Sequence, residues 1–269
     1  MTTTLPAYYS AGDGPPVVLL HCTLSSKNQW RALCSMLEGE FRVIAVDLYG
    51  YGETALPVKK DRFTLLDEVE LVQSLLDEIL LPDEPIHLVG HSYGGAVALR
   101  FCHRFPGRVK TLTLFEPVAF HLLERGDPGL EPVLAMMQEL GRLMAAGLRE
   151  EAAATFLDYW NGAGSFGNFP PRVQKEFALR TEKLALDFSA LTRTQLTLDD
   201  YRQLRLPVTL IAGRSSRLPA LRVSHKLSET LPDCRLHLVD TGHMGPVTDP
   251  ELVNPIIRSA LSQAIPDER

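Results

Sequence analysis

Residues 86–95 have the sequence IHLVGHSYGG, a short apolar run followed by a Gly-x-Ser-x-Gly pattern formed by Gly90, Ser92 and Gly94. The apolar run is typical of a buried strand, and a helical pattern begins directly after it. A sharp strand-to-helix turn needs glycines on both sides of its middle residue, because side chains there would collide with the strand and the helix. The segment therefore predicts a strand–turn–helix unit that exposes the side chain of Ser92. The alternative is a glycine-rich turn that contains an incidental serine.

Similar apolar runs recur along the chain, over residues 17–21, 43–47, 112–116, 208–213 and 236–240. Continuous apolar runs favour strands that are buried on both faces, as in a parallel sheet. Helical patterns lie between them, one of which Thr64 caps with Asp67 three residues later. The alternation predicts an α/β fold with a doubly wound, mostly parallel sheet, in which ligands bind at the carboxyl ends of the strands.

The alternation of strands and helices stops at residues 118–200. We interpret this stretch as a helical cap inserted into an α/β core, whose two parts are residues 1–117 and 201–269. The insertion shows helical patterns over 131–148, 150–160 and 172–187. Aromatic residues are concentrated near its middle, and Trp160 is our candidate for a pocket wall.

Composition excludes several classes of protein. The chain has 269 residues with a net charge of -6 and no run of Lys and Arg, so we expect no nucleic-acid partner. No apolar stretch approaches the ~20 residues of a membrane span, and residues 1–10 do not resemble a signal peptide. The four cysteines have neither metal-site spacing nor the density of a disulfide scaffold. We therefore expect a cytoplasmic protein without a membrane partner; the sequence leaves a homodimer open.

The chemistry expected at Ser92 requires a base, since a serine hydroxyl is a poor nucleophile until its proton is removed. His243 lies in the sequence DTGHMGP (240–246), just past the last predicted strand and so at the same end of the sheet. Most of the other histidines lie within strand or helix patterns. We predict that Ser92 is the nucleophile and His243 the general base.

An oxyanion would need backbone N–H donors near Ser92. The loop after the first strong strand, HCTLSS (21–26), and the start of the helix after Ser92 can each supply one. We predict the amides of Thr23 and Tyr93. His21 is interpreted as a buried histidine that braces the loop.

Four motifs together resemble the α/β-hydrolase superfamily, especially its bacterial members with a helical cap. They are LLH (19–21), DLYGYGET (47–54), GHSYGG (90–95) and GH (242–243). The resemblance implies that fold and a serine hydrolase mechanism. This sequence departs from many relatives at Cys22, where they have glycine after the histidine.

The acidic partner of the histidine is the second departure. Relatives commonly have an aspartate three residues after the glycine that ends the penultimate strand, but no carboxylate occurs here between Gly213 and Glu229. Glu116 ends the strand that follows the nucleophile helix, so its carboxylate is expected at the same edge as Ser92. We predict that Glu116 is the acid; the alternatives are Asp240 and an enzyme that works without a third residue. The alternative for Glu116 is a residue that braces the cap.

The function that we predict is hydrolysis of an ester, lactone, thioester or related acyl bond of a small-molecule substrate through an acyl-enzyme. No metal or cofactor is implied. Hydrolysis of a carbon–carbon bond and cofactor-free perhydrolysis remain open, because they use similar residues on the same fold. A non-catalytic small-molecule-binding protein on this scaffold is the alternative from another class.

Overall fold

The computed structural model describes residues 5–262. Part of the stretch 1–10 that was compared with a signal peptide lies outside these residues, as do residues 1 and 269, the outer bounds of the predicted core. A seven-stranded sheet with the order β1-β3-β2-β4-β5-β6-β7 forms its centre. Only β1 is antiparallel to its neighbour. The predicted mostly parallel, doubly wound sheet is confirmed. The strands are β1 (Tyr8–Ala11), β2 (Pro16–Leu20), β3 (Arg42–Val46), β4 (Ile86–His91), β5 (Val109–Phe115), β6 (Val208–Gly213) and β7 (Cys234–Val239).

Eleven α-helices surround this sheet within the described residues. They are α1 (Arg31–Leu37), α2 (Leu65–Ile79), α3 (Tyr93–Arg104), α4 (Leu130–Ala145), α5 (Arg149–Asn161), α6 (Pro171–Leu179), α7 (Thr181–Thr192), α8 (Leu198–Tyr201), α9 (Leu218–Thr230), α10 (Gly245–Thr248) and α11 (Pro250–Ser262). Short 3-10 turns occupy residues 27–30, 120–122 and 166–168. None of the helices in this part of the chain combines the length and apolar character that a membrane crossing requires.

The two faces of the sheet bury separate apolar clusters. Val17 and Leu19 of β2 pack with α1 and α11, whereas Val18 and Leu20 pack with α2 and α3. Successive side chains of a strand point to opposite faces, so a strand that is apolar throughout fills both layers. This explains why the strands appear in the sequence as continuous apolar runs.

The segment between β5 and β6 is helical, and it packs over the edge of the sheet at which Ser92 lies. The prediction of a single helix over 172–187 is wrong, because the helix is interrupted at Arg180, between α6 and α7. The fully buried Thr181 donates its hydroxyl to the carbonyl of Ala178 at 2.7 Å and so stabilises this break. The division of the chain into core and cap remains a prediction.

Candidate active site

Ser92 lies at the turn between β4 and α3 with φ 55° and ψ -115°, a conformation that non-glycine residues rarely adopt. A Cβ atom at Gly90 would lie 2.6 Å from the Gly94 carbonyl oxygen, and one at Gly94 would lie 2.3 Å from that of Leu20. Both contacts are shorter than van der Waals packing allows. The glycines of the motif therefore permit the turn, and the turn presents the hydroxyl of Ser92.

A line of hydrogen bonds joins the three residues that we predicted as nucleophile, base and acid. Nδ1 of His243 lies 2.6 Å from Oε2 of Glu116, and Nε2 of His243 lies 3.0 Å from Oγ of Ser92. An ionised carboxylate only accepts hydrogen bonds, so Nδ1 carries the proton and Nε2 is free to accept from the serine hydroxyl. All three residues are buried. The geometry supplies a base that is already oriented toward Ser92.

Glu116 follows β5 directly, and hydrogen bonds fix both its backbone and its side chain. Its amide donates to the carbonyl of Ile211, and its Oε1 accepts from the amide of Gly213 at 2.7 Å. Its φ of 44° is unusual for a residue with a side chain. Asp240, the rival, has an 86% exposed side chain that pairs with Arg214. The structure thus brings Glu116, and not Asp240, to the histidine.

His91, the last residue of β4, holds the loop that carries His243. Its Nε2 donates to the backbone carbonyl of His243 at 2.8 Å, and the two rings lie 5.2 Å apart. Burial lowers the pKa of His91 well below its usual value, which keeps the ring neutral. A neutral ring beside His243 avoids repulsion when His243 takes up a proton.

The loop after β2 is tied down around Cys22. The Cys22 amide donates to Oε1 of Gln29 at 3.0 Å, and the Cys22 carbonyl accepts from Nδ1 of His21 at 2.7 Å. Nε2 of His21 accepts from the amide of Leu48, and burial lowers the pKa of His21 to about 4. His21 therefore makes the bracing contacts that the sequence predicted. Burial also raises the pKa of the Cys22 thiol to about 12, so this cysteine stays protonated.

The amides of Thr23 and Tyr93 remain available near Ser92. Within residues 5–262, neither amide donates a hydrogen bond to another part of the protein. The amide of Gly94, by contrast, donates to the carbonyl of His21 and ties the helix to the loop. Both amides are therefore free to donate to a ligand, and their role as donors to an oxyanion remains a prediction.

A cavity of about 200 Å³ opens beside Ser92 and His243, and Phe156, Trp160, Phe169 and Phe177 of the helical segment between β5 and β6 form its roof. A second, much smaller cavity of about 10 Å³ lies on another side of Ser92 and is lined by Phe188 and Asp187. That volume is about what one water molecule needs. The candidate site is therefore apolar and offers one roomy and one tight compartment.

Trp160 lies on the wall of both cavities. Its ring centroid is 4.3 Å from that of His243, with an angle of 32° between the planes, and Phe120 stacks on it at 6.2 Å. Phe166, from the same aromatic-rich stretch, lines neither cavity and packs instead against one of the apolar clusters of the core. The structure thus places our candidate wall residue directly over the histidine.

Comparison with known proteins agrees with this geometry. A family model described as alpha/beta hydrolase fold matches residues 15–250. The chain belongs to this family. A Bacillus subtilis protein provisionally named 2-succinyl-6-hydroxy-2,4-cyclohexadiene-1-carboxylate synthase is 27% identical over 95% of this chain and 94% of its own length. A 2-hydroxy-6-oxo-2,4-heptadienoate hydrolase of Pseudomonas putida is also 27% identical, over 86% of this chain and 82% of that protein.

Solved structures share the fold of this alpha/beta hydrolase. A hydrolase from Pseudomonas aeruginosa superimposes with a TM-score of 0.78, at 24% identity over 94% of this chain and 93% of that chain. This likeness supports the same arrangement of sheet and helices.

Sequence reasoning missed several residues of the site. Gln29 and His91 hold the loops of Cys22 and His243, and Asp187 and Lys183 of α7 are buried behind Thr23. The only signal in the sequence is the four-residue spacing of Lys183 and Asp187, which on a helix ordinarily indicates an exposed ion pair.

Proposed function

We propose that this alpha/beta hydrolase is a serine esterase that cleaves small, uncharged esters through an acyl-enzyme on Ser92. The observation that carries the proposal is the unbroken line of hydrogen bonds from Glu116 through His243 to Ser92. A serine activated in this way attacks carbonyl carbon, and the acid holds the imidazole in the tautomer that accepts the proton.

In the first half of the reaction, Oγ of Ser92 bonds to the ester carbonyl carbon while its proton passes to Nε2 of His243. The carbonyl oxygen becomes an oxyanion that accepts hydrogen bonds from the amides of Thr23 and Tyr93. When the tetrahedral intermediate collapses, the bond to the alcohol oxygen breaks. His243 gives its proton to that oxygen, so the alcohol leaves neutral.

In the second half, His243 takes a proton from water and the resulting hydroxide attacks the acyl carbon. A second tetrahedral intermediate forms at the same two amides. Its collapse breaks the bond to Oγ, and His243 returns the proton to Ser92. Imidazolium forms in both halves, and the carboxylate of Glu116 stabilises it each time.

The lining of the cavities supports an uncharged substrate. No lysine or arginine of residues 5–262 lines either cavity beside Ser92, and the charged residue that does is Asp187. A carboxylate buried there without a partner would lose its hydration without compensation. The names of both relatives given above refer to carboxylates. Because these cavities offer a carboxylate no cationic partner, we infer that the substrate of this chain is uncharged instead. The tight compartment also implies that one of the two groups on the carbonyl is small.

A matched pair of substrates tests this proposal. p-Nitrophenyl butyrate and the p-nitrophenyl monoester of succinic acid have acyl groups of the same chain length, but only the second carries a carboxylate. We expect kcat/KM to be at least about 10-fold higher for the butyrate, since one unpaired buried charge costs more than 1.4 kcal/mol. Equal turnover of both esters, or a preference for the anion, would contradict the substrate class. No turnover of any aryl ester would contradict esterase activity and favour carbon–carbon bond cleavage or non-catalytic binding.

A further inference from the structure

A fully buried ion cluster lies between the cap and the core, formed by Lys183 and Asp187 of α7 and Glu68 of α2. Nζ of Lys183 lies 2.9 Å from Oε1 of Glu68 and also pairs with Oδ1 of Asp187. Burial by itself lowers the pKa of Lys183, but the two carboxylates raise it above its usual value, so the ammonium is retained. Buried ion pairs contribute little net stability compared with apolar packing, so this cluster calls for another explanation.

The first connection of the ion cluster leads to the loop of the candidate oxyanion site. Thr23 donates its hydroxyl to Oδ2 of Asp187 at 2.9 Å, across 164 positions of sequence. The next residue, Leu24, has a φ of 57°, which an L-residue adopts only when its surroundings hold it there. His21 and Gln29 fix the backbone of Cys22 from the core. The hydrogen bond from Thr23 to Asp187 therefore connects this loop to α7.

The second connection leads to the residue after the nucleophile. Tyr93 donates its hydroxyl to Oε1 of Glu68 at 3.3 Å, and Nζ of Lys183 lies 4.7 Å from the centre of the Tyr93 ring. The Glu68 oxygen that accepts from Tyr93 is the one that pairs with Lys183. The same ammonium thus joins the side-chain anchors of Thr23 and Tyr93.

We propose that the ion cluster of Lys183, Asp187 and Glu68 is a positioning device that sets the spacing of the Thr23 and Tyr93 amides. This inference rests on the proposed function, because it assigns the two amides to the oxyanion. The side chains of both residues end at the ion cluster, whereas Thr23 lies with Ser92 on the wall of the small cavity and Tyr93 follows Ser92 in the chain. A shift of either anchor moves a donor relative to the reacting oxygen. Removing one donor of this kind costs about 10²–10³ in kcat in other hydrolases, so partial misplacement is expected to be visible in turnover.

Removal of a buried charge would strongly destabilise the chain, so the device is tested with variants that remove only hydroxyl groups. Thr23→Val keeps the shape of the side chain but removes the donor to Asp187, and Thr23→Ser restores a hydroxyl. Tyr51→Phe is the matched control, since Tyr51 donates to the same Oδ2 atom of Asp187 at 2.6 Å without belonging to the oxyanion loop. Tyr93→Phe removes the second anchor.

The measurements are kcat and KM with an uncharged ester, the rate at which a fluorophosphonate modifies Ser92, and the melting temperature. We expect Thr23→Val to lower kcat and the rate of modification about 10-fold with KM within about twofold, and Thr23→Ser to recover most of the loss. Tyr93→Phe is expected to lower both rates as well, by a smaller factor because its hydrogen bond is longer. Tyr51→Phe is expected to lower the melting temperature as much as Thr23→Val while both rates stay within about twofold of the wild type.

Three results would overturn the positioning role. The first is a Thr23→Val variant with wild-type kcat and rate of Ser92 modification, and the second is a Tyr51→Phe variant that loses as much of both rates as Thr23→Val. The third is a Thr23→Ser variant whose rates are as low as those of Thr23→Val. Failure of the esterase proposal is a separate outcome, recognised by a wild-type protein that turns over no ester. The rate of Ser92 modification still decides the inference in that case, because the phosphonyl oxygen occupies the place of the oxyanion.

Discussion

Glu116 accepts a hydrogen bond from His243 across 2.6 Å, although 127 positions of sequence separate the two residues. The contact forms because β5, which Glu116 follows, lies beside β4, which Ser92 follows. Adjacent parallel strands end at the same edge, so acid and nucleophile leave the sheet together. The histidine reaches both from the loop after β7.

Replacement of Glu116 by glutamine is expected to lower kcat by about 10²–10⁴-fold, as seen where the acid of a triad becomes an amide. The amide of Gly213 needs the side-chain oxygen as its acceptor, so the new NH₂ group would face Nδ1 of His243 and impose the wrong tautomer. The check is steady-state turnover of an uncharged aryl ester, with circular dichroism to show that the variant folds. The control is Asp240→Asn, which changes an exposed carboxylate. A larger loss in the control than in Glu116→Gln would assign the acid to Asp240.

Replacement of Ser92 by alanine is expected to abolish modification by a fluorophosphonate and to lower kcat by about 10³-fold or more. Only a serine whose proton has an acceptor attacks this reagent at neutral pH, and Ser92 has His243 at 3.0 Å. The matched control is Ser228→Ala, which removes an exposed hydroxyl that donates to a backbone carbonyl. Modification that persists in Ser92→Ala, located by mass spectrometry, would identify another nucleophile.

Replacement of Trp160 by alanine is expected to shift substrate preference toward longer acyl chains. The indole lies on the wall of both cavities, so its removal joins the tight and the roomy compartment. The check is kcat/KM for p-nitrophenyl acetate, butyrate and octanoate. Trp160→Phe serves as control, because it retains an aromatic wall. Unchanged chain-length preference with a lower melting temperature would mean that Trp160 only holds the cap together.

Replacement of Gly94 by alanine is expected to destabilise the fold, because the added methyl would lie 2.3 Å and 2.5 Å from the carbonyl oxygens of Leu20 and His21. Forced overpacking of this kind costs about 1–3 kcal/mol. Gly141→Ala is the matched control in α4, where a methyl meets no atom within 4 Å. The control is expected to gain about 0.5–1 kcal/mol. Urea denaturation measures both, and equal effects would show that the strand–turn–helix unit tolerates a side chain.

Acidification is expected to destabilise the protein through its buried histidines. Burial lowers the pKa of His87 from 6.5 to about 4, and the nearby charge of Lys110 adds to this. As the pH falls below about 6.5, the unfolded chain takes up a proton that the folded chain refuses until about pH 4, so stability falls over this window. One such histidine lowers the free energy of unfolding by about 2 kcal/mol when the pH falls from 7.5 to 5. His87→Gln is expected to reduce the pH dependence of the free energy of unfolding, and an unchanged dependence would contradict this account.

Local patterns were sufficient for most of the fold. The strand–turn–helix unit at Ser92 and the loop of His243 depend on short-range signals, whereas the position of Glu116 followed from the rule that parallel strands end at one edge. β1 (Tyr8–Ala11) was missed because its side chains are largely exposed and show no apolar run. The break at Arg180 was missed because arginine carries no helix-ending signal.

The ion cluster shows where sequence reasoning stops. A lysine and an aspartate four residues apart on a helix favour an exposed ion pair, and nothing near Lys183 in the sequence indicates burial. What buries Lys183 is contact with the rings of Tyr51, Phe63 and Tyr93, which come from three distant parts of the chain. Burial of this kind follows from tertiary packing, which no local pattern encodes.

The loop after β6 carries no acidic residue in this protein, and Arg217, one residue past the position where relatives commonly have an aspartate, contacts α5 instead. Its guanidinium donates to the backbone carbonyl of Tyr159 at 2.7 Å and lies 4.7 Å from the centre of that ring. Tyr159 immediately precedes Trp160, so this loop contacts the roof of the cavity on the side that faces away from the cavity. The loop lines neither compartment beside Ser92. Substitutions at Arg217 are therefore expected to act on the cavity indirectly, through Tyr159 and the adjoining Trp160, without changing any residue that lines it.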